Sequence, residues 1–175
     1  MPPKINEAHI EETCLQQLEA VGWRRENGKS LPVADGEFAR GGMAGVVFTE
    51  QLRQAVARLN PDLPPEAVDE VVRVVTKSEI GDLLERNRAF YALLRNGVPV
   101  SYRVDAEAQT RQAMLVDFEN PQANSFIAVN QLEIRGTRGK RIPDVILFVN
   151  GLPLVVMELK HPLNEKADLQ AAFNQ

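Results

Sequence analysis

The stretch that most constrains this chain is VILFVNGLPLVVMELK, Val145 to Lys160, in which two apolar runs flank Asn150-Gly151. Asn-Gly between apolar runs is a strong β-hairpin signal, because both residues tolerate the backbone conformation of a tight turn. Such a hairpin folds Asp144, at the start of the first run, back beside Glu158 and Lys160, at the end of the second. These three charges are either a solvated fringe or a site.

Parity decides whether they meet. Side chains alternate along a strand, so Glu158 and Lys160 share a face and Leu159 points the other way. A two-residue turn pairs 149 with 152 and therefore 144 with 157, which sends Asp144 away from Glu158. A three-residue loop, Asn150-Gly151-Leu152, pairs 144 with 158. A β-bulge produces the same shift. Convergence of the three groups thus predicts an odd-length loop or a bulge.

If they converge, two carboxylates on one edge form a hard oxygen site suited to Mg²⁺ and a phosphate oxygen. A neighbouring ammonium can orient water or stabilise added negative charge. The bland alternative is a surface Glu-Lys pair with Asp144 capping a turn, an arrangement worth little. Pro-Asp followed within about 20 residues by an acid, any residue and Lys occurs by accident in roughly one chain of this length in ten. Spacing alone leaves both readings open.

Composition narrows the class. The chain has 175 residues, 44% apolar and 25% charged, as in one ordinary globular domain or a domain with an appendage. Its net charge of −4 argues against a protein whose whole task is holding DNA. A single cysteine, Cys14, excludes an internal disulfide and suggests a reducing compartment, the cytoplasm. No signal peptide and no membrane-spanning run is visible.

Residues 7–21 carry Ile10, Cys14, Leu15, Leu18 and Val21 at helical spacing, with Gly22 as a stop and Trp23 packing back on the same core. Residues 24–42 read as a long loop. Three helices follow, in EQLRQAVARLN, in PPEAVDEVVRVVTK and in SEIGDLLERNRAFYALLRNG, together an inserted helical block over about 43–97. From about 98 to 160 the pattern is that of strands, weak in PVSYRV, better in QAMLVDF and strong in SFIAVNQLEI. RGTRGKR reads as a basic loop, and 165–175 begins a helix that the sequence cuts off. This is a mixed α/β domain.

The pattern Pro143-Asp144 with Glu158-Leu159-Lys160 resembles the PD-(D/E)xK nuclease motif. More specifically, IEETCLQQLEAVGW, LLERNRAFYALLRNGVPV, FIAVNQLEI and GKRIPDVILFVNGLPLVVMELKHP are similar to the N-terminal nuclease region of type I restriction enzyme R subunits. The resemblance implies a restriction-endonuclease-like mixed sheet flanked by helices. It implies that Asp144 and Glu158 hold Mg²⁺, with the Leu159 carbonyl as a further ligand, and that Lys160 is the catalytic lysine. A helical glutamate near the N-terminus of such proteins approaches the metal, and Glu11 stands at the matching place. Gln175 matches a glutamine in the helix after the lysine strand. Members continue into an ATP-dependent DNA motor. This sequence has no phosphate-binding loop with Lys-Ser or Lys-Thr, so it reads as a fragment whose ATP chemistry lies outside it. The implied partners are double-stranded DNA and the modification (methyltransferase) and specificity subunits.

Arg135, Arg138, Lys140 and Arg141 cluster just before Asp144 and read as phosphate contacts. Asn130 and Gln131 either order the edge of the site or make a cross-strand hydrogen bond. Arg86, Arg88 and Arg95 are expected in solvent, with Phe90 and Tyr91 in the core. Cys14 is expected to pack, not react. Two other functions stay open: a non-catalytic docking module with a nuclease-like fold, and a stand-alone repair or recombination nuclease.

Overall fold

A computed structural model describes residues 6–77, 82–105, 107–137 and 139–160. Arg138, Gln175, the helix expected over 165–175 and the start of the third inserted helix lie outside the described residues. The chain divides into two compact units. The first takes residues 1–31, 126–148 and 153–175; the second takes 32–125 and 149–152.

The first unit opens with helix α1 (Glu7–Ala20). Asn6 caps it by accepting the His9 N–H at 2.8 Å, and Glu7 places a negative charge in the first turn, where the helix dipole favours it. Strand β1 (Arg24–Asn27) follows, inside the segment expected to be loop. It pairs parallel to β4 (Phe126–Asn130), Arg24 opposite Ile127 and Asn27 opposite Asn130. RREN has no apolar alternation to betray a strand; as an edge strand it is held through its backbone and through α1. Arg25 donates to both Glu12 oxygens, at 2.9 and 2.7 Å.

Two further strands, β7 (Val145–Val149) and β8 (Leu152–Met157), complete a sheet of order β1-β4-β7-β8, with β7 and β8 joined as a hairpin. The expected basic loop is itself a small hairpin, β5 (Ile134–Gly136) with β6 (Gly139–Arg141). Leu15 of α1 is buried against Ala128, Val145 and Leu147, so the helix covers one face of the sheet. Trp23 joins this core and meets Phe126 edge-on at 5.2 Å, as expected. The result is the mixed α/β fold, sheet plus helices, that the restriction-endonuclease-like expectation describes.

The second unit contains α2 (Thr49–Leu59), α3 (Pro65–Thr76) and α4 (Leu83–Asn96), with β2 (Val98–Val104) and β3 (Glu107–Ala113) as a separate antiparallel pair. Pro65 begins α3 at the position where a missing N–H costs nothing. Asp82 and Glu85 close a reciprocal capping box on α4. Tyr91, expected in the core, is 62% exposed, and α4 has no fully buried residue.

QAMLVDF is not the strand its apolar content suggested, since β3 ends at Ala113. Asparagine side chains satisfy that backbone instead, among them Asn124, which accepts the Asp117 N–H at 2.9 Å and donates to its carbonyl at 2.8 Å. Asn60 accepts the Met114 N–H at 2.8 Å and donates to its carbonyl at 2.9 Å; Asn150 donates to the Leu115 carbonyl at 2.9 Å. Amides remote in sequence take the place of a neighbouring strand.

Candidate active site

The hairpin turn has two residues. Asn150 and Gly151 have φ of +52° and +79°, the conformation of a type I′ turn. Gly151 is required twice over: a side chain would be strained there, and a Cβ would stand 2.5 Å from the Phe48 carbonyl oxygen. The three-residue loop is therefore not how the carboxylates meet.

They meet through the strand. With 149 opposite 152, an undisturbed ladder puts Val145 opposite Val156 and turns Met157 away from it. Yet Met157 and Leu159 pack on the cluster that contains Val145 and Leu147. Adjacent Val155 and Val156 are both exposed, 46% and 61%, where regular alternation would bury one of them. A one-residue slip of the pleat, as a β-bulge produces, accounts for both facts, and such a slip sets Asp144 opposite Glu158. Among the described residues β8 is an edge strand of the sheet, with no further strand paired to its far side to resist the slip.

Asp144 occupies the bend just before β7, and its Oδ2 accepts the Leu159 N–H at 2.7 Å. This bond ties the two strands together at their open end. The Leu159 side chain enters the core, and its neighbours Glu158 and Lys160 line a cleft of about 610 Å³ with Asp144. Lys140 and Arg141 line the same cleft, as does Glu7. Burial raises the Glu158 pKa, and the adjacent Asp144 raises it further by charge repulsion and by sharing a hydrogen bond. Lys160 acts in the opposite direction. Two acids that resist joint ionisation, beside a lysine, make a place where a cation is favoured.

Glu11 does not line this cleft. Its carboxylate accepts from Asn130 Nδ2 at 2.7 Å and from Gln131 Nε2 at 2.9 Å. Glu7, one turn earlier on the same face of α1, lines the cleft instead; its i, i+4 relation to Glu11 was the only signal in the sequence that could have found it. Among the described residues no three His, Cys, Asp or Glu side chains are grouped to hold a metal. Arg135 bonds Glu133 at 2.6 Å, and Lys140 stands 3.7 Å from the same carboxylate. Arg135–Glu133 draws the Glu133 pKa down. Cys14 is half-buried, with its thiol pKa pushed up by burial, the setting of a packing cysteine. No helix among the described residues is long and apolar enough to cross a membrane.

A sequence profile of the family described as "Type I restriction enzyme R protein N terminus" matches residues 4–175. The chain is 59% identical over 172 residues to the "Type I restriction enzyme HindI endonuclease subunit" of Haemophilus influenzae, covering 98% of this chain and 16% of that protein. It is 31% identical over 175 residues to the "Putative type I restriction enzyme MjaIXP endonuclease subunit" of Methanocaldococcus jannaschii, again covering 98% and 16%. A second protein of that organism, the "Putative type I restriction enzyme MjaVIIIP endonuclease subunit", is 23% identical over the same span. The chain thus spans about 16% of the length of these relatives.

Proposed function

The chain belongs to the family of type I restriction enzyme R protein N termini, and we propose that its cleft hydrolyses DNA phosphodiesters with the help of Mg²⁺. The observation that carries this reading is the pairing of Asp144 with Glu158 beside Lys160. The donor set fits a hard divalent cation: Asp144 and Glu158 carboxylates, with the Leu159 carbonyl as a further oxygen. Bound there, Mg²⁺ supplies charge neutralisation on the phosphate and acidification of water.

The protein's own groups do the rest. The Leu159 N–H holds one Asp144 oxygen, which fixes the orientation of the carboxylate. The Lys160 ammonium orients the attacking water or stabilises charge added to the phosphate. Lys140 and Arg141 at the cleft wall, with Arg135 and Arg138 nearby in sequence, contact backbone phosphates and set the scissile bond beside the acids. Such contacts carry no base specificity. Target choice falls to specificity and modification subunits, and ATP-driven translocation to a motor in the remainder of the full-length protein, all working in the cytoplasm.

The test uses the full-length protein with its partner subunits, Mg²⁺, ATP and unmodified DNA. Asp144→Asn, Glu158→Gln and Lys160→Ala should each lower cleavage by about 10²-fold or more and leave ATP hydrolysis intact. Cleavage at the parental rate by Asp144→Asn would refute the assignment and favour a docking module, which needs no metal.

A further inference from the structure

Asn130 ends β4 and Gln131 follows it, in an arrangement that a continued regular strand could not make. Consecutive strand residues point to opposite faces, yet both side-chain amides reach one carboxylate, that of Glu11. The backbone of Gln131 explains how: its φ is +55°, in the left-handed region that costs a non-glycine residue free energy. That turn swings the Gln131 side chain to the Asn130 side of the sheet. It also aims the Gln131 N–H at the backbone carbonyl of Asp144, 3.2 Å away. Glu11 is itself held firmly. The next residue, Glu12, pairs with Arg25 through two hydrogen bonds, and Leu15, one turn on, is in the core. Asn130 is 5% exposed and cannot move aside.

We infer that Glu11, Asn130 and Gln131 form a clamp in which Gln131 is a positioning residue for Asp144, and that Glu11 acts by holding the clamp, not by ligating the metal. This rests on the nuclease reading above. Asp144 is gripped from two sides, at its carbonyl by Gln131 and at Oδ2 by Leu159, so the carboxylate is presented to Glu158 in one orientation. Partners of this kind set ligand geometry, and their loss weakens metal affinity without removing a ligand.

The test measures Mn²⁺ affinity of the full-length protein by electron paramagnetic resonance. Glu11→Gln replaces two charge-assisted hydrogen bonds by neutral ones and forces one of the two facing amides to turn over. Gln131→Glu sets two carboxylates against each other. Each should lower affinity about tenfold. The double swap, Glu11→Gln with Gln131→Glu, reverses donor and acceptor and restores both hydrogen bonds, so it should return affinity to near the parental value. Gln and Glu have the same shape, so none of these variants opens a cavity. Single variants at parental affinity would overturn the clamp. Losses that the swap fails to rescue would overturn it in favour of direct ligation by Glu11. Asp144→Asn serves as the control: parental Mn²⁺ binding by that variant sinks the nuclease reading itself.

Discussion

The two ends of the β7–β8 hairpin each carry polar side chains and treat them in opposite ways. At the turn, Asn150 is fully buried and saturated. Its Oδ1 accepts the Ser125 N–H at 2.9 Å, its Nδ2 donates to the Leu115 carbonyl and to Asn124 Oδ1, and its own N–H reaches the Ser125 carbonyl. At the open end, Asp144 and Glu158 are partly buried against each other, and the Glu158 pKa is raised in consequence. A saturated buried amide defines structure, since each of its bonds would be costly to lose. A pair of acids brought together at a cost to their own ionisation is what the proposed cation site requires.

The contrast can be broken at either end. The largest effect is expected at the open end, where Glu158→Gln or Lys160→Ala lowers cleavage by about 10²–10⁴-fold. For Glu158→Gln the melting temperature should not fall. Metal-free Glu158→Gln at neutral pH should melt slightly higher than the parent, because a group with a raised folded pKa contributes stability below its unfolded pKa and loses it as pH rises through the folded one. Scanning calorimetry without metal checks the sign, and a lower melting temperature for Glu158→Gln would contradict it.

The turn should behave in the opposite sense. Asn150→Ala leaves the Ser125 N–H and Leu115 carbonyl without their partner and places alanine at positive φ. It should cost about 2–4 kcal/mol in denaturant unfolding. The Mg²⁺ concentration needed for half-maximal cleavage, assayed where the variant is folded, should not change. A shift in that requirement would mean the turn also tunes the site.

A smaller effect concerns DNA. Glu133 engages Arg135 and Lys140, two of the residues read as phosphate contacts. Glu133→Gln should free both cations and steepen the dependence of DNA affinity on salt by up to about 1.8 in log–log slope. Stability should hardly move, because these pairs lie at the surface. An unchanged slope would remove both residues from the phosphate path.

How much of this was legible in the sequence differs by element. Asn150-Gly151 gave the turn and Pro65 gave a helix start, because each is a local requirement written in local residues. Parity showed that an undisturbed two-residue hairpin would separate Asp144 from Glu158. It could not choose between loop and bulge, since Val155-Val156 looks like any apolar pair until its exposure is seen. Strand β1 was missed because RREN owes its pairing to β4, far along the chain. QAMLVDF was taken for a strand because nothing nearby announces Asn60 and Asn150 as its hydrogen-bond partners. The site's acids were legible by spacing and resemblance. The grip of Gln131 on Asp144 was not, because it depends on one backbone angle.

The central claim is that the bulge brings Asp144 and Glu158 together into one cation site. Carboxyl-detected NMR titration of Glu158 tests it most directly. In the metal-free protein Glu158 should titrate above an ordinary glutamate. Asp144→Asn should bring it part of the way down, leaving the contribution of burial, and Mg²⁺ should lower it in the parent by favouring the charged form. A Glu158 titration that responds to neither Asp144→Asn nor Mg²⁺ would contradict the account.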